Sequence, residues 1–329
     1  MSGLAPTLQA FFTDRLVGQR QASPNTVAAY RDTMRLLLRF AAERQGIEPT
    51  KLDIGDVDAP LISAFLDDRE HHRGNSIRTR NARLAAIRSL FRYAALRHPE
   101  QAAVIQRVLA IPPKRFDRRL VTFLTEPEID ALLVTPNRAT WTGRRDHALL
   151  ALAVQTGLRA SELTGLRCGD IHVGVGAHVS CLGKGRKQRI TPLTQSVIAV
   201  LRAWLSERSG QASDPLFTTC TGRTLSRDAL ERRLAKYVAT AVRICPSLRE
   251  KNITLHVLRH TAAMRLLHAG VDTSVIALWL GHEQIETTHI YLHADLALKE
   301  RALARTTPLN TSPGRYQPPD ALLAFLEAL

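Results

Sequence analysis

The stretch that decides the fold of the second half of the chain is LLALAVQTGLRASEL, residues 149–163. Residues 144–155 are strongly apolar and have the spacing of a buried helix. Gly157 is expected to end this helix, because glycine commonly adopts the left-handed conformation there. Arg159 follows at once, and Glu162 lies one helical turn further on. The simplest interpretation of Arg159 and Glu162 is an ion pair on the surface. The functional interpretation is that Glu162 orients Arg159 for binding.

Strand-forming residues follow this helix and predict a small antiparallel sheet. Isoleucine, valine and threonine occur in residues 170–171, 177–182 and 188–193, and a glycine-bearing turn joins the last two segments. That turn carries four cations within LGKGRKQR, residues 182–189. The chain is then predicted to return to helices up to about Arg305.

A helix that begins after Thr254 carries three basic side chains within LHVLRHT. His256 and Arg259 are three residues apart, so we expect them to face the same way. His256 and His260 have the spacing of a metal-binding pair, but no glutamate follows the first histidine and a neighbouring arginine would repel a metal. We therefore predict no metal site, and we expect His260 to hold the helix through a backbone or carboxylate contact.

Another group of polar side chains follows a glycine further along the chain. The segment LGH places Gly281 at the end of an apolar helix, with His282 directly after it. The segment TTHIYLH, residues 287–293, contains Tyr291. A single tyrosine on an amphipathic helix is usually a core or rim residue. Only the combination of these segments therefore indicates a function.

The first part of the chain, residues 7–110, is predicted to be a compact bundle of short helices. Its most basic helix is SIRTRNARLAAIRSLFRYAALR, residues 76–97, whose arginines are expected to populate its outer surface. No acid lies among these arginines, so we expect contacts with phosphates rather than a solvated face. The candidate DNA-binding residues are Arg73, Arg78, Arg80, Arg83, Arg88, Lys114, Arg115, Arg186 and Lys187.

Changes in composition divide the chain into four parts. We predict a helical domain at 1–110 and a second domain at 123–305. Residues 111–122 between them are basic, contain two prolines and show little periodicity, so they are expected to form an extended linker. The tail at 306–329 is expected to be irregular and to end in a short apolar helix.

The composition restricts the class of protein. The chain has 329 residues, a formal charge of +15 and a pI near 10.5, which favours a polyanionic partner. Hydrophobic residues make up 45%, enough for real cores, and no apolar run is long enough to span a membrane. The four cysteines form no CxxC pair, so neither a zinc site nor a disulfide framework is indicated. We expect a cytoplasmic protein with reduced cysteines.

The segments TGLRASEL, GKGRKQR, HVLRH, LGH and TTHIYLH resemble, in their order, the catalytic motifs of the tyrosine recombinases. This phage-integrase family includes the Xer recombinases, and the resemblance covers nearly the whole chain. It implies a mainly α fold with a small antiparallel β-sheet: a helical core-binding domain followed by an α+β catalytic domain. The implied catalytic residues are Arg159, Lys184, His256, Arg259, His282 and Tyr291.

The resemblance also implies a chemistry that uses no metal, cofactor or ATP. Tyr291 would attack a DNA phosphate and form a 3′-phosphotyrosyl bond, which a second DNA 5′-hydroxyl would then exchange. Arg159 and Arg259 would bind the non-bridging phosphate oxygens, and Lys184 would protonate the leaving oxygen. His256 and His282 would hydrogen-bond the phosphate and accept the proton of the tyrosine hydroxyl.

The implied partner is duplex DNA with paired inverted half-sites, bound by a tetramer that forms with or without a related recombinase. A Xer-like enzyme and a recombinase encoded by a plasmid or insertion element fit equally, so chromosome resolution and element integration or transposition both stay open. The tail could dock on its own catalytic domain or on a neighbour. Two other functions also stay open: relaxation of DNA in the manner of a type IB topoisomerase, and regulation by DNA binding without catalysis.

Overall fold

The computed structural model describes residues 3–116, 121–183 and 188–281, together with Thr288 and Tyr291. The chain divides into two compact units, Met1–Arg118 and Arg119–Leu329. The predicted fold class, mainly α with a small antiparallel sheet, is confirmed. Within the described ranges, no helix has the length and apolar character needed to cross a membrane.

Helices form the framework of the first unit. The first helix starts earlier than the sequence predicts and continues directly as a π-helix, Phe11–Gln19. The α-helices are α1 (Leu4–Ala10), α2 (Pro24–Gln45), α3 (Ala59–His71), α4 (Ile77–Ala95) and α5 (Ala102–Ala110). Their apolar faces meet in one core that includes Phe11, Leu37, Phe65, Ile87 and Ile105.

Short polar side chains fix the starts of three of these helices. Ser23 accepts a hydrogen bond from the backbone of Thr26 before α2, and Ser76 does the same for Thr79 before α4. Asp58 caps α3 in the same way, with a proline in the first turn. Each cap satisfies a backbone N–H that the helix itself leaves unpaired. The turn residues of the sequence therefore set where α4 presents its arginines.

Residues 112–116, part of the expected linker, lie along α4 in the first unit. The Asn81 amide donates to the carbonyl of Lys114 at 2.8 Å and accepts from its N–H at 3.0 Å. Arg88 donates to the carbonyl of Ile111, and the Arg78 guanidinium lies 5.5 Å from the Phe116 ring centre. This end of the basic segment is therefore held by side chains of α4.

The second unit places a three-stranded antiparallel sheet among helices. The strands are β1 (Ile171–His172), β2 (His178–Leu182) and β3 (Gln188–Pro192), in the order β1-β2-β3, with Cys181 opposite Arg189. The strands lie where the sequence predicts them, apart from their ends. The helices are α6 (Glu126–Val134), α7 (Trp141–Thr156), α8 (Ala160–Gly165), α9 (Gln195–Arg208), α10 (Arg227–Ala241), α11 (Leu255–His268) and α12 (Thr273–Leu280).

Helix α7 is the centre of the second unit and is buried on almost every side, as its apolar sequence predicts. Its two buried charges pair with each other, because Arg145 donates to Asp146 and also to the carbonyl of Thr218. Asp146 accepts two further hydrogen bonds from α10, from Arg233 and the hydroxyl of Tyr237. The network satisfies the buried carboxylate and ties α10 to α7.

The end of α7 approaches α11 and α12 closely. Gly157 is left-handed, with φ of +64°, as expected for a helix C-cap. A Cβ at this position would lie 2.8 Å from the Leu280 side chain and 3.0 Å from Ala262. Only glycine therefore allows α7, α11 and α12 to meet at the point where Arg159 leaves the helix.

Candidate active site

Arg159 is held by the acid that follows it one helical turn later. Its guanidinium donates to Glu162 at 2.8 Å, and its backbone N–H donates to the same carboxylate at 2.8 Å. Burial opposes the ionisation of Glu162, but the N–H of Arg159 and the charges of Arg189 and Arg159 outweigh it and lower the pKa of this carboxyl. The prediction that Glu162 orients Arg159 is confirmed, and about a third of the Arg159 side chain stays exposed.

Arg259 on α11 is nearly enclosed, with 3% of its surface exposed. It donates to the carbonyl of Gly157 at 2.7 Å and to that of Leu280 at 2.6 Å. Burial, followed by the charges of Arg159 and Arg189, lowers its pKa to about 10. The Arg259 guanidinium therefore keeps its proton at neutral pH, although the neighbouring guanidiniums of Arg159 and Arg189 repel it.

Arg189 on β3 is a third cation of this cluster, and the sequence indicated it only as one charge of a basic turn. It donates to Glu162 at 2.7 Å and to the carbonyl of Leu280 at 2.9 Å. In the register of the sheet, Arg189 lies opposite Cys181 of β2. The strand prediction carried no signal for the contact with Glu162, since the acid comes from a separate helix.

All three guanidiniums meet the C-terminal end of α12. Leu280 accepts from Arg189 and Arg259, and Gly281 accepts from Arg159 at 3.0 Å. The carbonyl end of a helix is a negative pole, so it suits a cluster of cations. Gly281 is left-handed, as predicted, and a Cβ there would lie 2.5 Å from the Arg189 guanidinium. The cluster therefore depends on glycine at this position.

Tyr291 lies beside these cations with only 1% of its surface exposed. Its ring belongs to an apolar cluster with Met264, Leu267 and Ile276. Burial raises the pKa of Tyr291 to about 12, although the charges of Arg259 and Arg159 act in the opposite direction. The hydroxyl is therefore protonated at neutral pH and requires a proton acceptor before it can act as a nucleophile.

The two histidines of α11 occupy different surroundings. His256 is exposed, whereas Arg259, three residues later on the same helix, is buried. Nδ1 of His260 lies 3.1 Å from the Tyr291 hydroxyl oxygen, and the His260 ring also contacts that of His256 at 4.1 Å between ring centres. We expected a backbone or carboxylate contact for His260, and its tyrosine contact was missed because the partner is distant in sequence.

The structure thus brings together four of the six predicted catalytic residues, directly or through His260. Arg159, Arg259 and Tyr291 interact electrostatically, and His256 reaches the tyrosine through the neighbouring histidine ring. The remaining two, Lys184 and His282, lie outside the described residues, as do Arg186 and Lys187. In the described part of the chain, no group of three or more potential metal ligands is found.

The predicted DNA-binding arginines of the first unit fall into two groups. Arg80 is 5% exposed and lies 3.2 Å from Glu70 and 3.6 Å from Asp67 of α3, so the expectation that it lies on the outer surface is wrong. Lys114 pairs with the same two acids, at 2.9 and 3.6 Å. The sequence showed no acid within the arginine helix, but the acids come from the preceding helix.

Other members of the predicted set remain accessible. Arg73, Arg78 and Arg115 are exposed. Arg83 and Arg88 are partly buried, and burial together with the charge of Arg69 lowers the pKa of Arg83. The basic surface of the first unit is therefore smaller than the sequence predicts.

Comparison with known families gives two matches on this chain. Residues 122–297 match the phage integrase family, and residues 10–98 match the phage integrase N-terminal SAM-like domain. The chain is similar to a protein of Sinorhizobium fredii named integrase/recombinase y4rC, with 56% identity over 328 residues that cover 100% of this chain and 99% of the relative. It is also similar to the tyrosine recombinase XerC of Pelobacter propionicus, with 33% identity over 90% of this chain and 93% of the relative.

Solved structures share the fold. The XerH site-specific recombinase in a post-cleavage complex with its difH substrate matches with a TM-score of 0.69 and 24% identity, over 87% of this chain and 81% of XerH. The Tn1549 transposon integrase in complex with circular intermediate DNA matches with a TM-score of 0.68 and 18% identity, over 91% of this chain and 99% of the integrase chain. Both have the architecture described above.

Proposed function

The chain belongs to the phage integrase family, the tyrosine recombinases, and from that premise we propose that it breaks and rejoins duplex DNA at specific sites through a 3′-phosphotyrosyl intermediate. The observation that carries the proposal is the cluster of Arg159, Arg189 and Arg259 beside the hydroxyl of Tyr291, in which a single carboxylate binds two of the three guanidiniums. An excess of fixed positive charge next to a nucleophile suits attack on a phosphodiester.

The arginines supply the phosphate site. Arg159 and Arg259 bind the two non-bridging oxygens, on which negative charge grows in the five-coordinate transition state. Repulsion among the three guanidiniums helps lower the pKa of Arg259, and a bound phosphate relieves that repulsion. Because Glu162 and the end of α12 already hold Arg159, little reorganisation is needed when the phosphate binds.

Tyr291 supplies the nucleophile. Its oxygen attacks phosphorus, the bond from phosphorus to the 5′-oxygen breaks, and the 3′ end stays attached to the protein as a phosphotyrosyl ester. Attack by another 5′-hydroxyl on this ester restores a phosphodiester. The number of ester bonds is conserved in each step, so the proposed exchange requires no ATP.

Two further roles are carried over from the family motifs to residues outside the described ranges. Lys184, in GKGRKQR, protonates the leaving 5′-oxygen, and His282, in LGH, hydrogen-bonds the phosphate together with His256. The neighbouring described residues support these positions. Arg189, five residues after Lys184 in the sequence, lies on β3 and joins the arginine cluster, and Gly281, which directly precedes His282 in the sequence, accepts from Arg159.

The proposed substrate is duplex DNA with paired inverted half-sites, bound by four protomers that include this chain alone or with a related recombinase. Relatives carry the names of both Xer recombinases and integrases, so chromosome resolution and element integration or transposition are both within the proposal. The exposed arginines of the first unit are proposed to contact the phosphates. All four cysteines are free thiols, which supports a cytoplasmic location.

The proposal is tested with a nicked suicide substrate built on paired inverted repeats sought in the DNA that flanks the gene. We expect the wild-type protein to form a covalent complex that survives denaturation, in EDTA as well as in magnesium. Tyr291→Phe is expected to bind the same DNA with unchanged affinity and to form no such complex. A covalent band with Tyr291→Phe, or loss of the wild-type band in EDTA, would contradict the proposed chemistry.

A further inference from the structure

We propose that His260 is the catalytic base that takes the proton from the Tyr291 hydroxyl as the tyrosine attacks the phosphate. This assignment rests on the proposed function and deepens it. It replaces the assignment of proton acceptance to His256 and His282, which the family motifs imply.

The two side chains are in hydrogen-bonding contact in the structure. Nδ1 of His260 lies 3.1 Å from the Tyr291 hydroxyl oxygen, and the two rings meet edge to face at 5.5 Å between their centres. In the tautomer that leaves Nδ1 without a proton, the tyrosine hydroxyl donates to it. A base must be within such reach of the proton that it removes, and His260 meets this requirement.

The surroundings of Tyr291 make a base necessary. Burial raises the pKa of its hydroxyl to about 12, so the hydroxyl holds its proton at pH 7. Two charged groups of the described residues that act on this hydroxyl, Arg259 and Arg159, are cations that stabilise a phenolate but accept no proton. Imidazole is the side chain whose ordinary titration lies nearest to neutral pH, so His260 suits the task.

His260 is also placed by a rigid element that holds the phosphate-binding cation. It follows Arg259 directly on α11, whose neighbouring residues Leu258, Thr261 and Ala262 are buried. The hydroxyl of Thr261 accepts from the backbone of Leu124 at 2.9 Å and fixes this turn of the helix to the preceding segment. The base and the cation therefore keep a constant geometry relative to each other, as a catalytic pair requires.

The exposed His256 contacts the proposed base. Its ring contacts that of His260 at 4.1 Å between centres, in an edge-to-face arrangement. This contact restrains rotation of the His260 ring. This contact gives His256 a positioning role toward His260 in addition to its proposed hydrogen bond to the phosphate.

The proposed step balances its atoms and protons. The hydroxyl proton of Tyr291 moves to Nδ1 of His260 while the tyrosine oxygen bonds to phosphorus. The bond from phosphorus to the 5′-oxygen breaks, and the proposed acid, Lys184, gives that oxygen a proton. When a 5′-hydroxyl later attacks the phosphotyrosyl ester, its proton passes to the neutral Lys184, and the imidazolium of His260 returns its proton to the departing tyrosine oxygen.

The first measurement compares rates of covalent complex formation at saturating protein, so that DNA affinity does not enter. We expect His260→Asn and His260→Gln to be at least about 10²-fold slower than wild type at pH 7, within the range of general base catalysis. Their rates should rise about tenfold per pH unit as the tyrosine ionises unaided. The control is His268→Asn on the same helix, whose ring contacts Phe123, and it is expected to cleave at the wild-type rate.

The second measurement separates the base from the acid. In a substrate with sulfur in place of the bridging 5′-oxygen, the leaving thiolate needs no proton, because a thiol is far more acidic than an alcohol. The defect of His260→Asn should persist on this substrate, whereas that of Lys184→Ala should largely disappear. A His260→Asn defect that also disappears would assign His260 to the leaving group and overturn the proposal.

A third measurement uses the wild-type protein alone, so the proposal stays testable if the His260 variants do not fold. On the sulfur substrate, the wild-type rate should rise with pH through a single ionisation and then reach a plateau. A rate that climbs without a plateau to pH 9 would show that no imidazole acts as the base. Equal rates for wild type and His260→Asn would overturn this assignment alone, and a wild type without any covalent complex would overturn the proposed function as well.

Discussion

The carboxylate of Glu162 on α8 and the guanidinium of Arg189 on β3 lie 2.7 Å apart, although 27 positions separate the two residues along the chain. The same carboxylate binds Arg159 at 2.8 Å. One negative charge therefore fixes two of the three clustered cations, and the third, Arg259, is held by backbone carbonyls. The cluster keeps a net positive charge, which is the property that the proposed phosphate site requires.

Glu162→Gln should destabilise the second unit, because two buried or half-buried guanidiniums lose their carboxylate. Removing one partner of a buried pair costs on the order of 3 kcal/mol. We expect a loss of that size in the free energy of unfolding at pH 7, measured with urea. The matched control is Glu231→Gln, which removes the acid of the exposed Arg227–Glu231 pair and should cost less than about 1 kcal/mol.

The difference in unfolding free energy between wild type and Glu162→Gln should also depend on pH, and it should be larger at neutral than at acidic pH. The folded protein lowers the pKa of Glu162, so the carboxylate stabilises the fold above the ordinary glutamate value of about 4.3. That stability is lost as the pH falls through the lower folded value. The free energies of unfolding of wild type and Glu162→Gln should therefore converge as the pH falls. A difference between them that stays constant down to pH 2 would contradict the role of the Glu162 charge.

Gly281→Ala should disturb the arginine cluster more than the fold. The new Cβ would lie 2.5 Å from the Arg189 guanidinium, which must then leave the carbonyl of Leu280. We expect at least a tenfold slower covalent complex formation, together with a stability loss of about 1 kcal/mol from the left-handed backbone. Gly270→Ala is the control, since Gly270 is also left-handed, with φ of +82°, but its Cβ would meet open space.

This pair of variants separates backbone strain from the contact with Arg189. Both should lower the melting temperature by similar amounts, while only Gly281→Ala should slow cleavage. Equal cleavage rates in the two variants would mean that the position of Arg189 does not matter for the reaction.

The sequence predicted contacts between residues that are close along the chain, and it missed contacts between residues of separate elements. Glu162 and Arg159 are one helical turn apart, and helix geometry alone predicts their contact. The contacts of Arg189 with Leu280 and of His260 with Tyr291 depend on how separate elements pack, so no local pattern contained them. The prediction that Arg80 lies on the outer surface of α4 was wrong for the same reason, because the acids that pair with Arg80 come from α3.

The last prediction concerns which cations of the first unit contact DNA. Each phosphate contact contributes roughly −0.9 to the slope of log affinity against log salt concentration. Arg73 and Arg78 are exposed, so replacing both with glutamine should flatten that slope by up to about two contacts. Arg80 is already neutralised by Asp67 and Glu70, so Arg80→Gln should leave the slope unchanged and lower the stability of the first unit instead. Dissociation constants for duplex DNA at a series of salt concentrations, with urea unfolding alongside, measure both quantities. A flatter slope for Arg80→Gln at unchanged stability would show that Arg80 leaves its acids to bind phosphate.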